Sequence, residues 1–209
     1  MFEPNQGTLL DLVADIELGP LGARVHRQQL GRGAWIDLRP QWVSGADTLF
    51  DAVVDDVAWV AERRQMYDRE VEVPRLLSFY GEHDPLPHPV LTQAREQLDV
   101  HYAAELGESF RTAGLCLYRD GRDSVAWHGD TIGRGRAEDT MVAILSLGAP
   151  RALALRPRGG GPVIRHRLGH GDLIVMGGSC QRTWEHAVLK TARPVGPRIS
   201  VQFRPRGVR

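Results

Sequence analysis

Cysteine is scarce in this 209-residue chain, lysine is nearly absent, and long apolar runs are missing. Two cysteines, Cys116 and Cys180, without C-x-x-C spacing exclude a disulfide framework and a structural zinc site. Both are expected to be buried as small apolar residues. The longest apolar runs, such as Met141 to Leu145 and Leu173 to Met176, fall far short of the roughly 18 residues of a membrane span. No membrane partner is expected. The start, Met1-Phe2-Glu3-Pro4-Asn5-Gln6-Gly7, has no basic region followed by an apolar stretch, so no secretory signal is read and a cytoplasmic location is expected.

With 42% hydrophobic and 25% charged side chains, the chain has the composition of one ordinary soluble domain, and it is long enough to fold without a metal or disulfide staple. No repeat or linker divides it, so a single domain over 1–209 and a monomer are expected. Its 26 basic and 26 acidic residues cancel, but not evenly along the chain. Residues 111–209 hold 17 Arg/Lys against 7 Asp/Glu, a net of +10; residues 1–110 hold 9 against 19, a net of −10. That asymmetry points to a polyanion partner or to attraction between the two halves. Arginine supplies all the basic residues except Lys190.

After a loop-like start, Ser44 to Asp47 offers capping residues before Leu49, Phe50, Val53, Val54, Val57 and Val60, which recur at helical spacing. A second helix is expected from Pro89 to about Leu106, with Leu91, Ala94, Leu98 and Tyr102 on one face. From Ala113 the pattern becomes short apolar or alternating segments bounded by Gly, Pro, Asp and Arg. Eight strands are read: 113–118, 124–130, 140–147, 151–158, 163–168, 172–176, 184–188 and 198–203. The expected fold is mainly β, a jelly roll or double-stranded β-helix with flanking N-terminal helices.

The chemistry concentrates in His128-Gly129-Asp130. Residues i and i+2 of a strand face the same side, so an imidazole and a carboxylate converge there. His186, on a later strand, supplies a third donor, and two histidines with one carboxylate form the facial triad of non-heme Fe(II) oxygenases. A hydrogen-bonded His/Asp pair capping a turn is the plainer alternative. On the last strand Arg198, Ser200, Gln202 and Arg204 share one face, and turned inward they need an anion, since buried unpaired guanidinium groups are costly. A dicarboxylate would satisfy them. His170-Gly171-Asp172 is a second H-x-D, expected to be a capped turn. The other histidines form no cluster, and the tryptophans read as core or edge fillers.

Taken together, Leu117 to Asp130, His186 and the R-x-S-x-x-x-R pattern at 198–204 resemble the AlkB family of Fe(II)- and 2-oxoglutarate-dependent dioxygenases. Pro74-Arg75 and Tyr80-Gly81 are similar to the family's nucleotide-recognition lid. The resemblance covers residues 73–205, placing helices and lid in 1–110 and the jelly-roll core in 111–209. It implies Fe(II) held by His128, Asp130 and His186 as the catalytic metal site, with 2-oxoglutarate and O2 as cosubstrates. It implies that Arg198 meets the distal carboxylate of 2-oxoglutarate with Tyr118 and Ser200, and that Arg204 meets the carboxylate beside the keto group. Tyr80 is implied in the substrate pocket and Arg75 at a phosphate.

The implied reaction couples decarboxylation of 2-oxoglutarate to hydroxylation of an N-alkyl group on DNA or RNA, releasing the aldehyde and the repaired base. The base would be flipped out or single-stranded. Two departures stand out: Cys116 where many members have Asn, and Thr131-Ile132 where DNA-repair members have an acidic residue. Cys116 affects one hydrogen bond to the cosubstrate, and Ile132 leaves open a protein or small-molecule substrate; a non-catalytic jelly-roll module whose His/Asp set is structural or binds a metal or ligand is the other alternative.

Overall fold

Strands begin much earlier than the sequence pattern suggests. The computed structural model describes residues 15–66 and 69–208. The segment expected to be loop-like carries β1 (Glu17–Leu18), β2 (His26–Gly31), β3 (Ala34–Arg39) and β4 (Val43–Ser44). The β2 segment, His-Arg-Gln-Gln-Leu-Gly, is almost wholly exposed, so as an edge strand it shows no apolar alternation to read. The β2–β3 hairpin turns through Arg32 and Gly33, whose φ values of 56° and 79° match the two-residue turn that follows the twist of a hairpin. Buried Asp37 of β3 takes two hydrogen bonds from Arg27, each 2.7 Å, and one of 2.9 Å from the Tyr102 hydroxyl.

Helix α1 (Ala46–Asp56) stops before Val57 and Val60, which the apolar spacing had included. Val57 is extended, and Val60 opens β5 (Val60–Met66), which pairs with β6 (Arg69–Tyr80). The helix start also differs from expectation. Its N-cap is Gly45 at φ 64°, with no side-chain cap, because a Cβ there would lie 2.6 Å from the Asp15 carbonyl oxygen. Helix α2 (Pro89–Leu106) matches its expected bounds: Pro89 sits in the first turn, His88 Nδ1 accepts from Val90 N, and Gly107 closes the end at φ 69°.

The eight strands read from residue 113 onward all form. They are β7 (Phe110–Tyr118), β8 (Val125–His128), β9 (Val142–Gly148), β10 (Arg151–Pro157), β11 (Ile164–Leu168), β12 (Asp172–Gly178), β13 (Trp184–Val188) and β14 (Arg198–Pro205). A one-turn helix, α3 (Cys180–Thr183), links β12 to β13. Two antiparallel sheets result, in the orders β2-β3-β12-β9-β14-β7-β6-β5 and β11-β10-β13-β8. This is the double-stranded β-helix, with the larger sheet drawing four strands from residues before 110.

Period-two alternation divides the interior into two cores. On one face of the large sheet Leu115, Leu117, Leu145, Val201 and Phe203 meet Leu49, Val53, Leu91 and Leu98 of the helices. On the other face Cys116, Tyr118, Val142 and Ile144 meet Leu153, Leu155 and Val188 of the small sheet. Strands β9 and β12 are buried on both faces, which is why Met141 to Leu145 and Leu173 to Met176 read as continuous apolar runs. Each large side chain so buried contributes about 1.5–3 kcal/mol. The odd-even split also sends Arg198, Ser200, Gln202 and Arg204 toward the space between the sheets, while Ile199, Val201 and Phe203 face the helices.

Candidate metal centre

Strands β8 and β13 pair in a register that sets His186 directly opposite His128, with ring centroids 4.2 Å apart. Asp130 follows two residues after His128, just beyond the strand end. The spacer must be glycine, because a Cβ at Gly129 would lie 2.4 Å from the Gln181 carbonyl oxygen. Gln181, presented by α3, also accepts the Asp130 backbone N–H through its side chain at 2.9 Å. One ligand atom from each of His128, Asp130 and His186 lies within 4.8 Å of the others, the only such group of three among the described residues.

The protonation states suit a divalent metal. The Nδ1 of His128 is 2.8 Å from the Ala126 carbonyl oxygen, which can only accept, so Nδ1 donates there and Nε2 is the ring nitrogen turned toward Asp130. Burial, helped by the neighbouring His128 ring and opposed by Asp130, lowers the His186 pKa to about 3, so this imidazole is neutral at physiological pH. Burial alone would raise Asp130, but the Arg204 guanidinium and the His186 ring outweigh it and hold the carboxyl at about 2. Arg204 Nε donates to Asp130 Oδ2 at 2.7 Å, leaving Oδ1 toward His128 Nε2, 3.7 Å away. Imidazole nitrogens from two histidines and a carboxylate form the donor set that non-heme Fe(II) accepts.

Beside the triad, a cavity of about 460 Å³ is lined by Tyr118, Ser200, Gln202, Arg198 and Arg204 together with His128 and His186. Arg198 is 1% exposed. Its Nε donates to Ser146 Oγ at 3.0 Å, while its buried Nη1 has no partner. A buried guanidinium nitrogen without an acceptor marks the place of an anion. Tyr118 lies 5.4 Å from the guanidinium carbon, ring centroid to Cζ, and burial pushes its hydroxyl up to about 12, so it stays a hydrogen-bond donor. Gln202 bridges the wall: its Nε2 donates to Ser200 Oγ at 2.6 Å, and its Oε1 accepts from Arg204 at 3.2 Å. Cys116, at the departure from the family pattern, is 3.3 Å from Gln202 Nε2.

The two remaining site residues fall in different places. Arg75 lines this cavity, with Nη1 donating to the Ser124 carbonyl and Nε buried without a partner. Tyr80 packs against the helix-side core, whereas its neighbour Phe79 pairs with Gly114 on the cavity side of the sheet. Alternation along β6 decides this, since Leu77 also faces the inter-sheet core while Leu76 faces the helices. Sequence reading missed Gln181 and Ser146. Ser146 has a signal in hindsight, a hydroxyl inside the apolar stretch of β9 directly across from Ser200. Gln181 has none, because its position depends on how α3 folds over the site.

The second H-x-D is a capped turn. His170 Nδ1 accepts from Gly148 N, and Asp172 accepts from Gln41 N at 2.8 Å and Gly169 N at 2.6 Å. Cys116 and Cys180 are buried free thiols.

Comparison with known proteins places the chain. Residues 56–204 match the model of the 2OG-Fe(II) oxygenase superfamily. The alpha-ketoglutarate-dependent dioxygenase alkB homolog 3 of Bos taurus is 32% identical over 93% of this chain and 72% of its own length. The DNA oxidative demethylase ALKBH2 of Homo sapiens is 28% identical over 76% of this chain and 68% of its own. The fold is shared with the structure of OsALKBH1 (TM-score 0.57, 13% identity, 85% of this chain and all of that one). It is shared equally with a Pseudomonas putida prolyl-4-hydroxylase (TM-score 0.57, 17% identity, 82% and 93%). No helix among the described residues is long and apolar enough to cross a membrane. The chain belongs to the 2OG-Fe(II) oxygenase superfamily and, within it, to the AlkB-like dioxygenases, oxidoreductases that use Fe(II), 2-oxoglutarate and O2.

Proposed function

We propose that the chain removes alkyl groups oxidatively from nucleobases in DNA or RNA. The observation that carries this reading is the pairing, in one cavity, of the His128/Asp130/His186 donor set with the unpartnered Nη1 of buried Arg198. Iron with 2-oxoglutarate supplies the oxidising power when bound, and the protein supplies position, electrostatics and exclusion of water. In this reading His128, Asp130 and His186 hold the iron. Arg198, with Tyr118 and Ser200, takes the distal carboxylate of 2-oxoglutarate, and the buried cation gains the acceptor that it lacks.

Arg204 has a double task. Its Nε already rests on Asp130 Oδ2, which keeps the carboxylate ionised and turned, while its other nitrogens face the cavity where the second cosubstrate carboxylate belongs. Arg75, from the strand that the resemblance assigns to the lid, adds a further cation to the same cavity rather than to the outer rim. Tyr80 then supports the lid from its helix side.

A polynucleotide suits the outer surface as well. Arg165, Arg167, Lys190 and Arg193 line a groove of about 1290 Å³ on the small sheet, and none has an ion-pair partner among the described residues. Lys190 lies two residues beyond Val188, which lines the iron cavity. Phosphate contacts from such a groove make affinity fall steeply with salt.

The test is turnover. With Fe(II) and 2-oxoglutarate, single-stranded oligonucleotides carrying alkylated bases are expected to lose the alkyl group while succinate accumulates, both followed by mass spectrometry. Absence of dealkylation across a panel of alkylated bases, with 2-oxoglutarate turnover still detectable, would overturn the nucleobase reading.

A further inference from the structure

On the inward face of β14, Gln202 stands between Ser200 and Arg204, and its amide joins the two ends of the iron cavity. Arginine has five N–H donors on a flexible stem and no acceptor, so Arg204 on its own can meet Asp130 through any edge of its fork. One orientation is fixed here. Nε donates to Asp130 Oδ2 at 2.7 Å and Nη2 donates to Gln202 Oε1 at 3.2 Å, so acceptors from two separate segments hold the guanidinium. Because a guanidinium only donates, it also decides the direction of the amide, oxygen toward Arg204 and nitrogen away. The amide nitrogen then meets two groups able to accept. It lies 2.6 Å from Ser200 Oγ and 3.3 Å from Cys116 Sγ, so both of its hydrogens are used.

The strand opposite is shaped for this pair. On β7, Thr112, Gly114 and Cys116 stand across from Arg204, Gln202 and Ser200. A Cβ at position 114 would lie 2.9 Å from Arg204 Nη1 and 3.2 Å from Gln202 Oε1. Glycine inside a strand weakens it and marks a close approach, and what approaches here is the contact between the guanidinium and the amide. The effect reaches the metal ligand. Asp130 is buried, Arg204 occupies its Oδ2, and Oδ1 is the oxygen that faces His128 Nε2, 3.7 Å away.

We infer that Gln202 is a positioning residue of the metal centre: lying over Gly114, its amide holds the Arg204 guanidinium on Asp130 and thereby sets which carboxylate oxygen is left for iron. Gln202 reaches the ligand only through Arg204, so it has no part in coordination itself. The inference rests on the His128/Asp130/His186 site and holds whatever substrate is oxidised. A buried network of this kind acts as a unit, since each member fixes the geometry of the next.

The test measures the affinity for Fe(II) alone, without 2-oxoglutarate or oxygen, by competition with a chelating dye. Gln202→Met keeps the length of the side chain and removes all three of its hydrogen bonds. Gly114→Ala leaves every polar group in place and pushes the tips of Arg204 and Gln202 aside. Both are expected to weaken Fe(II) binding about fivefold, just under the low end of what a direct outer partner of a metal site contributes. Gln202→Glu keeps an oxygen for Arg204 and is expected to retain the parent's Fe(II) affinity. It should nonetheless bind 2-oxoglutarate more weakly, followed by the absorption of the chelate, because it adds a negative charge to the cavity of an anion.

A parent-like Fe(II) affinity in Gln202→Met or Gly114→Ala, with Tm unchanged, overturns the inference. So does a loss of Fe(II) affinity in Gln202→Glu as large as that in Gln202→Met. Where Gln202→Met lowers the Tm, Gly114→Ala decides, because it meets only the ends of two flexible side chains. A parent protein that binds no Fe(II) overturns the metal site itself, which separates that failure from the failure of Gln202 alone.

Discussion

Two tripeptides of this chain read the same, His128-Gly129-Asp130 and His170-Gly171-Asp172, and the fold gives them opposite uses. The first closes a strand of the small sheet, opposite His186, and its side chains turn into the space between the sheets. The second forms the tight turn before β12, where His170 and Asp172 spend their acceptors on backbone N–H groups at 2.6 to 2.8 Å. One carboxylate stays available because its protein partner is a guanidinium that leaves an oxygen open; the other is used up in holding a loop. A motif thus acquires chemistry from what the register places opposite it, not from its own letters.

The largest effect separates the two aspartates. Asp130→Ala is expected to abolish metal binding and turnover, a greater loss than the roughly 100-fold that removing an outer partner of a metal site costs. Loss of metal is checked by elemental analysis of the purified variant. Asp172→Ala should leave metal content and turnover as they are.

Next in size is the anion end of the cavity. Arg198→Met should raise the KM for 2-oxoglutarate by about 30-fold or more, the scale of a lost buried charge contact. Thermal stability of the unliganded protein should not fall, because the substitution removes a buried cation that has no anionic partner among the described residues. Arg198→Lys should recover little of the affinity, since a single ammonium cannot replace the planar fork.

Smaller still is the loss expected from Gln181→Ala. This residue holds the Asp130 backbone N–H, and removing it should weaken Fe(II) binding about 10-fold, the low end of what an outer partner of a metal site contributes, measured by competition with a chelating dye. For the turn, Asp172→Ala should lower unfolding free energy by about 1–2 kcal/mol in urea denaturation, through two lost backbone contacts.

The smallest effect is one of pH, and a third aspartate supplies it. Burial alone would raise Asp123, but Arg119, through its side chain and its backbone N–H, outweighs it and sets the carboxyl below its ordinary 3.8. A depressed carboxyl stabilises the fold above its unfolded pKa and loses that contribution as pH falls through the folded value. Urea midpoints should therefore drop between pH 4 and pH 2.5 by less in Asp123→Asn than in the parent chain.

Much of this was legible in the sequence because alternation carries it. All eight strands from residue 113 lie within a few residues of where Gly, Pro and Asp punctuate the pattern, and β14 announces its polar face through Arg198, Ser200, Gln202 and Arg204. The N-terminal hairpin was illegible for the opposite reason. An exposed edge strand such as His26 to Gly31 has no buried face, so nothing in its composition alternates. Helix α1 was overextended because Val57 and Val60 keep the helical spacing, although Val60 is half exposed at the start of a strand. Within the site, Tyr80 was assigned through resemblance rather than parity. Counting by twos from Arg75 leads to Leu77 and Phe79, the residues on the cavity side. Gln181 and Gly129 depend on a contact between segments 51 residues apart, which no local pattern encodes.

The joint use of His128, Asp130, His186 and Arg198 is tested most directly by adding Fe(II) and then 2-oxoglutarate to the protein without oxygen and recording the visible charge-transfer absorption of the chelate. The expected result is a band in the parent chain and in Asp172→Ala, weakened at limiting 2-oxoglutarate in Arg198→Met and absent in Asp130→Ala. A band that survives Asp130→Ala, or that disappears in a folded Asp172→Ala, would contradict the assignment of the site to the first tripeptide.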